Sequence, residues 1–250
     1  MTKKFAVAVA ALTFLLAALP ASAGWRVQEV DPEFPEEATT YWFQGGKARL
    51  EGALEGLAVI VDVKEGTGWL VDEAAKRYAG GKLDELAEEL RRIENEGLPD
   101  DEEFLDDDEE GAGLEQGKVE VKSLGAAEKI LGHDTVRFQV FVDGEMLEEL
   151  WMAPKVAVER EVDPAAFTNA VQRMLGGGTG MDQGYENDPA YVKASSTGFP
   201  MRQVLYFVGE KSTLEVTAAE EKVFPDALFA VPPGLEKVGY VELLVGEDPQ

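Results

Sequence analysis

The chain has 250 residues, 49 of them acidic against 23 lysines and arginines, with one histidine and no cysteine. A formal charge of −26 repels nucleic acid and anionic lipid headgroups, which excludes the basic binders of either as a class. The missing cysteines exclude a disulfide framework, a thiolate metal site and a thiol nucleophile, while a hydrophobic fraction of 45% is enough for an ordinary core.

The N-terminus has the pattern of a secretory signal peptide. Lys3 and Lys4 give a positive start, residues 5–19 form an unbroken low-polarity run closed by Pro20, and Ala21, Ser22 and Ala23 supply a small-x-small cleavage site. A run of 15 residues is short for a membrane span, which needs about 18 or more. The expectation is a signal peptide over residues 1–23 cut between Ala23 and Gly24. One exported domain over residues 24–250 follows, periplasmic in its destination, with a net charge of −28 once Lys3 and Lys4 are gone.

Strand patterns open the mature part. Tyr41, Trp42, Phe43 and Gln44, the pair Gly45-Gly46, and residues 47–51 read as a hairpin on a two-glycine turn. Residues 57–63 and 67–71 read as two further strands around Glu65-Gly66. The period then changes: Leu83, Leu86, Leu90 and Ile93 recur at three and four residues, one face of a helix that Gly97 and Pro99 end. Nine of the eleven residues 100–110 are acidic and glycines follow, so residues 99–117 read as a mobile insertion.

Alternation resumes over residues 118–122 and 135–142, and Asp143-Gly144 turns the chain back into residues 146–152. Val156, Val158 and Val162 are expected to continue the sheet. Asp163 as cap, Pro164 at the first helical position and Gly176 past the end mark a second helix with a Phe167, Ala170, Val171, Met174 stripe. Residues 201–208, 212–218 and 240–245 read as closing strands. The fold class expected is mainly β (α+β): a curved antiparallel sheet of about eight to eleven strands, an open half-barrel, with two covering helices.

No catalytic set emerges. His133 stands alone at a turn, and no G-x-S-x-G elbow is present. Asp106, Asp108, Glu110 and Gly111 begin like a calcium loop, but Gly117 stands where the bidentate glutamate belongs. Gly113 and Gly117-Lys118 miss the phosphate-loop spacing, with Val119 in place of Ser or Thr, and the glycines of residues 176–180 lack a lysine. No enzyme activity, no cofactor and no metal site are expected.

The ordered landmarks resemble a family of exported bacterial proteins known as a domain of unknown function. They are residues 41–49 ending in Arg49, residues 59–62, residues 69–72 with Tyr78, residues 129–140 followed by Glu149, Leu150 and Trp151, then residues 198–201 and 224–234. The resemblance implies a fold similar to the lipoprotein-carrier (LolA/LppX-like) half-barrel. Such a half-barrel offers an apolar cleft, for which Trp42, Val59, Val61, Trp69, Phe138, Val140, Leu150 and Met152 are the candidate lining. These residues equally suit packing against the two helix stripes. The functions in view are a carrier of an apolar molecule or lipid, with no membrane span of its own, or an envelope protein that binds a basic partner.

Overall fold

The computed structural model describes residues 23–96, 117–175, 184–207 and 210–245. The expected signal peptide through residue 22, the acidic insertion through residue 116 and the glycine run after residue 175 lie outside them.

Most turns follow directly from local chemistry. Gly45 and Gly46 take φ of 62° and 96°, and Asp143 and Gly144 take 52° and 88°, the positive values that two-residue hairpin turns demand. They join β2 (Phe34–Gln44) to β3 (Lys47–Leu54) and β8 (Val136–Val142) to β9 (Glu145–Ala153). The first strand, β1 (Gly24–Asp31), starts at the residue that directly follows the expected cleavage point. Gly24 is buried, and a Cβ there would lie 2.3 Å from the Phe43 carbonyl oxygen, so no larger residue fits.

β4 (Leu57–Asp62), β5 (Thr67–Asp72) and β6 (Arg77–Lys82) complete the first half; β7 (Val119–Ala126), β10 (Phe199–Phe207) and β11 (Glu210–Lys222) complete the second. With β12 (Glu236–Lys237) they form one open, curved sheet of twelve strands in the order β12-β6-β5-β4-β3-β2-β1-β11-β10-β9-β8-β7. Every neighbouring pair is antiparallel except β12 with β6. The count exceeds the eight to eleven expected because β1, the glycine-containing β6 and the two-residue β12 carry little strand signal of their own.

Among the described residues four α-helices accompany the sheet: α1 (Leu83–Glu96), α2 (Pro164–Leu175), α3 (Pro189–Ser195) and α4 (Tyr240–Val245). The Asp163 side chain accepts from the Ala166 N–H at 2.7 Å, which starts α2 as its sequence predicts. Leu83, Leu86 and Leu90 of α1, Phe167, Ala170, Val171 and Met174 of α2, and Tyr240 and Leu243 of α4 all pack in one cluster. Across from them lie Val27, Phe43, Leu50, Val59, Val61 and Leu70 of the sheet. Burying this face supplies the main drive for folding, at about 25 cal/mol per Å² of apolar surface.

Two expected strands are corrected. Tyr240–Val245 is helical: Tyr240 and Leu243 fall on one face three residues apart, and a six-residue apolar run does not by itself tell strand from helix. Val156, Val158 and Val162 are all buried in the core, but around a short 3-10 turn, Val158–Arg160, and not in the sheet. The helices also number more than the two expected to cover the sheet; α4 joins α1 and α2, and α3 packs on β7.

Candidate binding site

The eight candidate lining residues do not share one cleft. Alternation along a strand sends successive side chains to opposite faces, and the strand register shows which face each takes. Val59 and Val61 stand opposite Leu50 and Ala48 and are filled in by the helices. Trp42 pairs with Arg49, and Arg49 with Ile60, so Trp42 belongs to the other face, half-buried with the Arg26 guanidinium 5.9 Å from its ring centre. Trp69 packs on that face with Ala58, Ile60, Val71 and Tyr78. Phe138, Val140, Leu150 and Met152 do come together, in a separate cluster capped by Tyr185 and Tyr191. Two physical reasons separate them: alternation sends Val59 and Val61 to one face and Trp42 and Trp69 to the other, and Phe138, Val140, Leu150 and Met152 stand on β8 and β9, toward the other end of the sheet.

An open cleft of about 880 Å³ lies elsewhere, beside the β3–β4 turn. Its floor is apolar, with Leu54, Leu57, Ala58 and Val71, and its rim carries Glu36, Glu37, Glu51, Glu55 and Glu73. At its base Arg49 is 5% exposed. Its Nε donates to Glu51 at 2.7 Å, one Nη to Glu73 at 2.8 Å and the other to the Leu228 carbonyl at 3.4 Å. Burying an arginine is tolerable only with such pairing, so the cation of the cleft is fully engaged. Glu36, Glu37 and Glu55 have no cation within ion-pair distance among the described residues, which leaves the rim with uncompensated negative charge.

A second polar constellation centres on β9, where Glu148 and Glu149 point to opposite faces. Glu149 receives the Arg137 guanidinium, Gln139 Nε2 at 2.8 Å and the Tyr206 hydroxyl at 2.9 Å. Burial works against its charge, but these donors together outweigh burial and hold its carboxyl below the usual range. Next to it Trp151 lies between two guanidinium groups, Arg137 at 4.6 Å and Arg202 at 5.3 Å from the ring centre, and its Nε1 donates to Glu128 at 3.0 Å. Arg202 in turn binds Glu128 at 2.6 Å and Glu215 at 3.1 Å. Every charge here has a partner, so the array reads as a brace across β8–β11.

Glu148 is different. It is fully buried and meets only neutral donors: Gln203 Nε2 at 2.6 Å, Tyr185 Oη at 3.1 Å and Tyr191 Oη at 3.4 Å. Burial is the dominant cause that raises its carboxyl to about 7, against the lowering pull of these donors. A signal for it exists in the sequence: Glu148 shares parity with Leu150 and Met152, so an alternating apolar face was interrupted by one carboxylate.

Among the described residues no cluster of three or more His, Asp or Glu side chains is placed to hold a metal ion. No helix among them is long and apolar enough to cross a membrane.

The family described as Domain of unknown function (DUF4412) matches residues 106–235, just over half of the chain. The matched segment contains β7 to β11 and with them the Trp151 brace and Glu148; the glutamate-rimmed cleft is built mainly from residues ahead of it. The crystal structure of a Vibrio parahaemolyticus domain named for outer membrane lipoprotein sorting aligns over 87% of this chain and 94% of its own, at 9% identity and a TM-score of 0.22. No curated protein matches the chain.

Proposed function

The chain belongs to the DUF4412 family, a family whose name assigns no activity, and from the geometry of this member we propose that it is an exported, non-catalytic binding protein for a basic, partly apolar partner. The observation that carries this reading is the cleft beside the β3–β4 turn, where an apolar floor meets a rim of glutamates that the single buried arginine does not neutralise. A segment with apolar side chains among lysines or arginines would bury the former against Leu54, Leu57 and Val71 and set the latter among Glu36, Glu37 and Glu55. The net charge of −28 left once Lys3 and Lys4 are removed adds long-range attraction for such a partner. Export is supported by the signal-peptide pattern and by the first strand beginning at Gly24, immediately behind the cleavage site.

This reading takes precedence over an apolar carrier because the helix stripes occupy the sheet face that a carrier would leave open. The test is calorimetric titration with a ten-residue peptide of alternating lysine and leucine. Binding to the wild type is expected near micromolar Kd at low salt, weakening at 0.3 M salt as screening shortens the reach of the rim charges. The Glu36→Gln, Glu37→Gln, Glu55→Gln variant should bind at least tenfold more weakly. A charge-matched variant at Glu145, Glu159 and Glu210, all exposed, should bind as the wild type does. Equal weakening by both variants would reduce the effect to net charge and reject the cleft.

A further inference from the structure

Residues 185–195 form a separate small piece of the molecule: the 3-10 turn Tyr185–Asn187, the cap residue Asp188 and helix α3. They pack on each other and on β7, and they lie over the apolar strip of Val121, Phe138, Val140, Leu150 and Met152. Two of their side chains, Tyr185 and Tyr191, stack edge to face at 5.4 Å and both donate to one acceptor, Glu148, which is sealed beneath them.

We infer that Glu148 and residues 185–195 form a proton-operated clasp: with Glu148 neutral the segment is held on the β7–β9 face, and with Glu148 charged it is released from the apolar strip.

The geometry supplies the reason. As a carboxylic acid, Glu148 still accepts from Gln203 on Oε1, while Oε2 carries the proton and donates to the Tyr185 hydroxyl, which rotates to accept at 3.1 Å. As a carboxylate, it accepts from Gln203, Tyr185 and Tyr191 but is a buried ion with no cation beside it, and these neutral donors offset only part of what burial costs it. The charged groups around it give no relief. Glu186, from the covering turn, adds like charge. Asp188 caps α3 through the Ala190 N–H, and Lys193 is exposed. Glu120 and Lys122 of β7 pair with each other in solvent. Arg137 of β8 and Arg202 of β10 are committed to Glu149, Glu128 and Glu215. Both tyrosines stay protonated, since burial and the Glu148 charge push their phenols well up. Opening gives the carboxylate to water and uncovers the strip.

The sign follows from burial raising the Glu148 carboxyl from 4.5 to about 7 in the closed state. The closed state holds the extra proton between those values, so closure weakens as pH rises through that window and levels off above it. Hydrogen exchange of the amides of residues 185–195, corrected for intrinsic rates, should show protection falling on the order of 50-fold from pH 5 to pH 8. The strands β1 to β5 should keep theirs. Glu148→Gln should flatten the profile. Glu186→Gln, at a half-buried site outside the strip, should move the midpoint down by removing the like charge, and it decides the matter if Glu148→Gln fails to fold. A profile that is flat in the wild type, unmoved in Glu186→Gln, or equal across all strands would overturn the clasp.

Discussion

Gly68 and Met174 offer the sharpest perturbation of the helix–sheet contact. Gly68 sits on β5 opposite Val61, and a Cβ built there would lie 2.3 Å from Met174 Sδ and 3.0 Å from Leu83 Cδ2. Met174 is fully buried, so its thioether has no solvent to move into. Gly68→Ala therefore overpacks the seam and should destabilise by about 1–3 kcal/mol. Met174→Ala removes a buried side chain and leaves a void, for about 2–5 kcal/mol. In the double variant the new methyl enters the vacated space, and the loss should fall short of the sum by roughly 1 kcal/mol. Urea unfolding followed by tryptophan fluorescence reads all three as shifts in midpoint at constant slope. Strict additivity, or a Met174→Ala cost below about 1 kcal/mol, would mean that α2 rests loosely on β5 and the face is open after all.

Further outcomes follow from the same contacts. Trp151→Phe keeps an aromatic side chain but loses the larger indole, removes the Nε1 donor to Glu128 and weakens the contact with the two guanidinium groups, and should cost about 1–2 kcal/mol in thermal unfolding. Asp188→Ala deletes the 2.7 Å bond to the Ala190 N–H and should cost about 1 kcal/mol, felt as faster exchange in Pro189–Ser195 and little elsewhere. The two adjacent glutamates oppose each other in pH: Glu149, held low, stabilises above its unfolded value and loses that contribution as acid titrates it. Glu148, raised to about 7, favours folding below 4.5 and loses up to roughly 3 kcal/mol by pH 7. Calorimetric melting should accordingly be highest in mild acid; a Tm that climbs steadily from pH 4.5 to 7 would refute the Glu148 assignment.

Sequence reading recovered the elements whose signal is local. The Gly45-Gly46 and Asp143-Gly144 turns, the α1 leucine stripe and the Asp163-Pro164 start of α2 each stand on a few neighbouring residues, and each is found. α3 has the same cap-and-proline start, Asp188-Pro189, but seven residues give too few turns for a stripe to declare itself. β6 was hidden by Gly80 and Gly81, although Gly80 is required there: its φ is 143°, and a Cβ would lie 2.2 Å from the Gly68 carbonyl oxygen. The binding site was the least legible part. Whether an apolar strand position meets a helix, a flap or an open cleft depends on register across a dozen strands, so Val59, Trp69 and Phe138 look alike in sequence and end in three different clusters. The cleft itself is assembled from the start of β2, the β3–β4 turn and the residues after β5, none of which carries a motif.

The most direct test of the account is a head-to-head titration of the purified full-length protein with a fluorescent fatty-acid probe and with the lysine–leucine peptide in the same low-salt buffer. Saturable peptide binding that the Glu36→Gln, Glu37→Gln, Glu55→Gln variant weakens at least tenfold is expected, with no probe binding at micromolar concentrations at pH 5. Saturable probe binding at that pH, displaced by lipid and indifferent to the glutamate substitutions, would contradict it and return the protein to the carriers of apolar ligands.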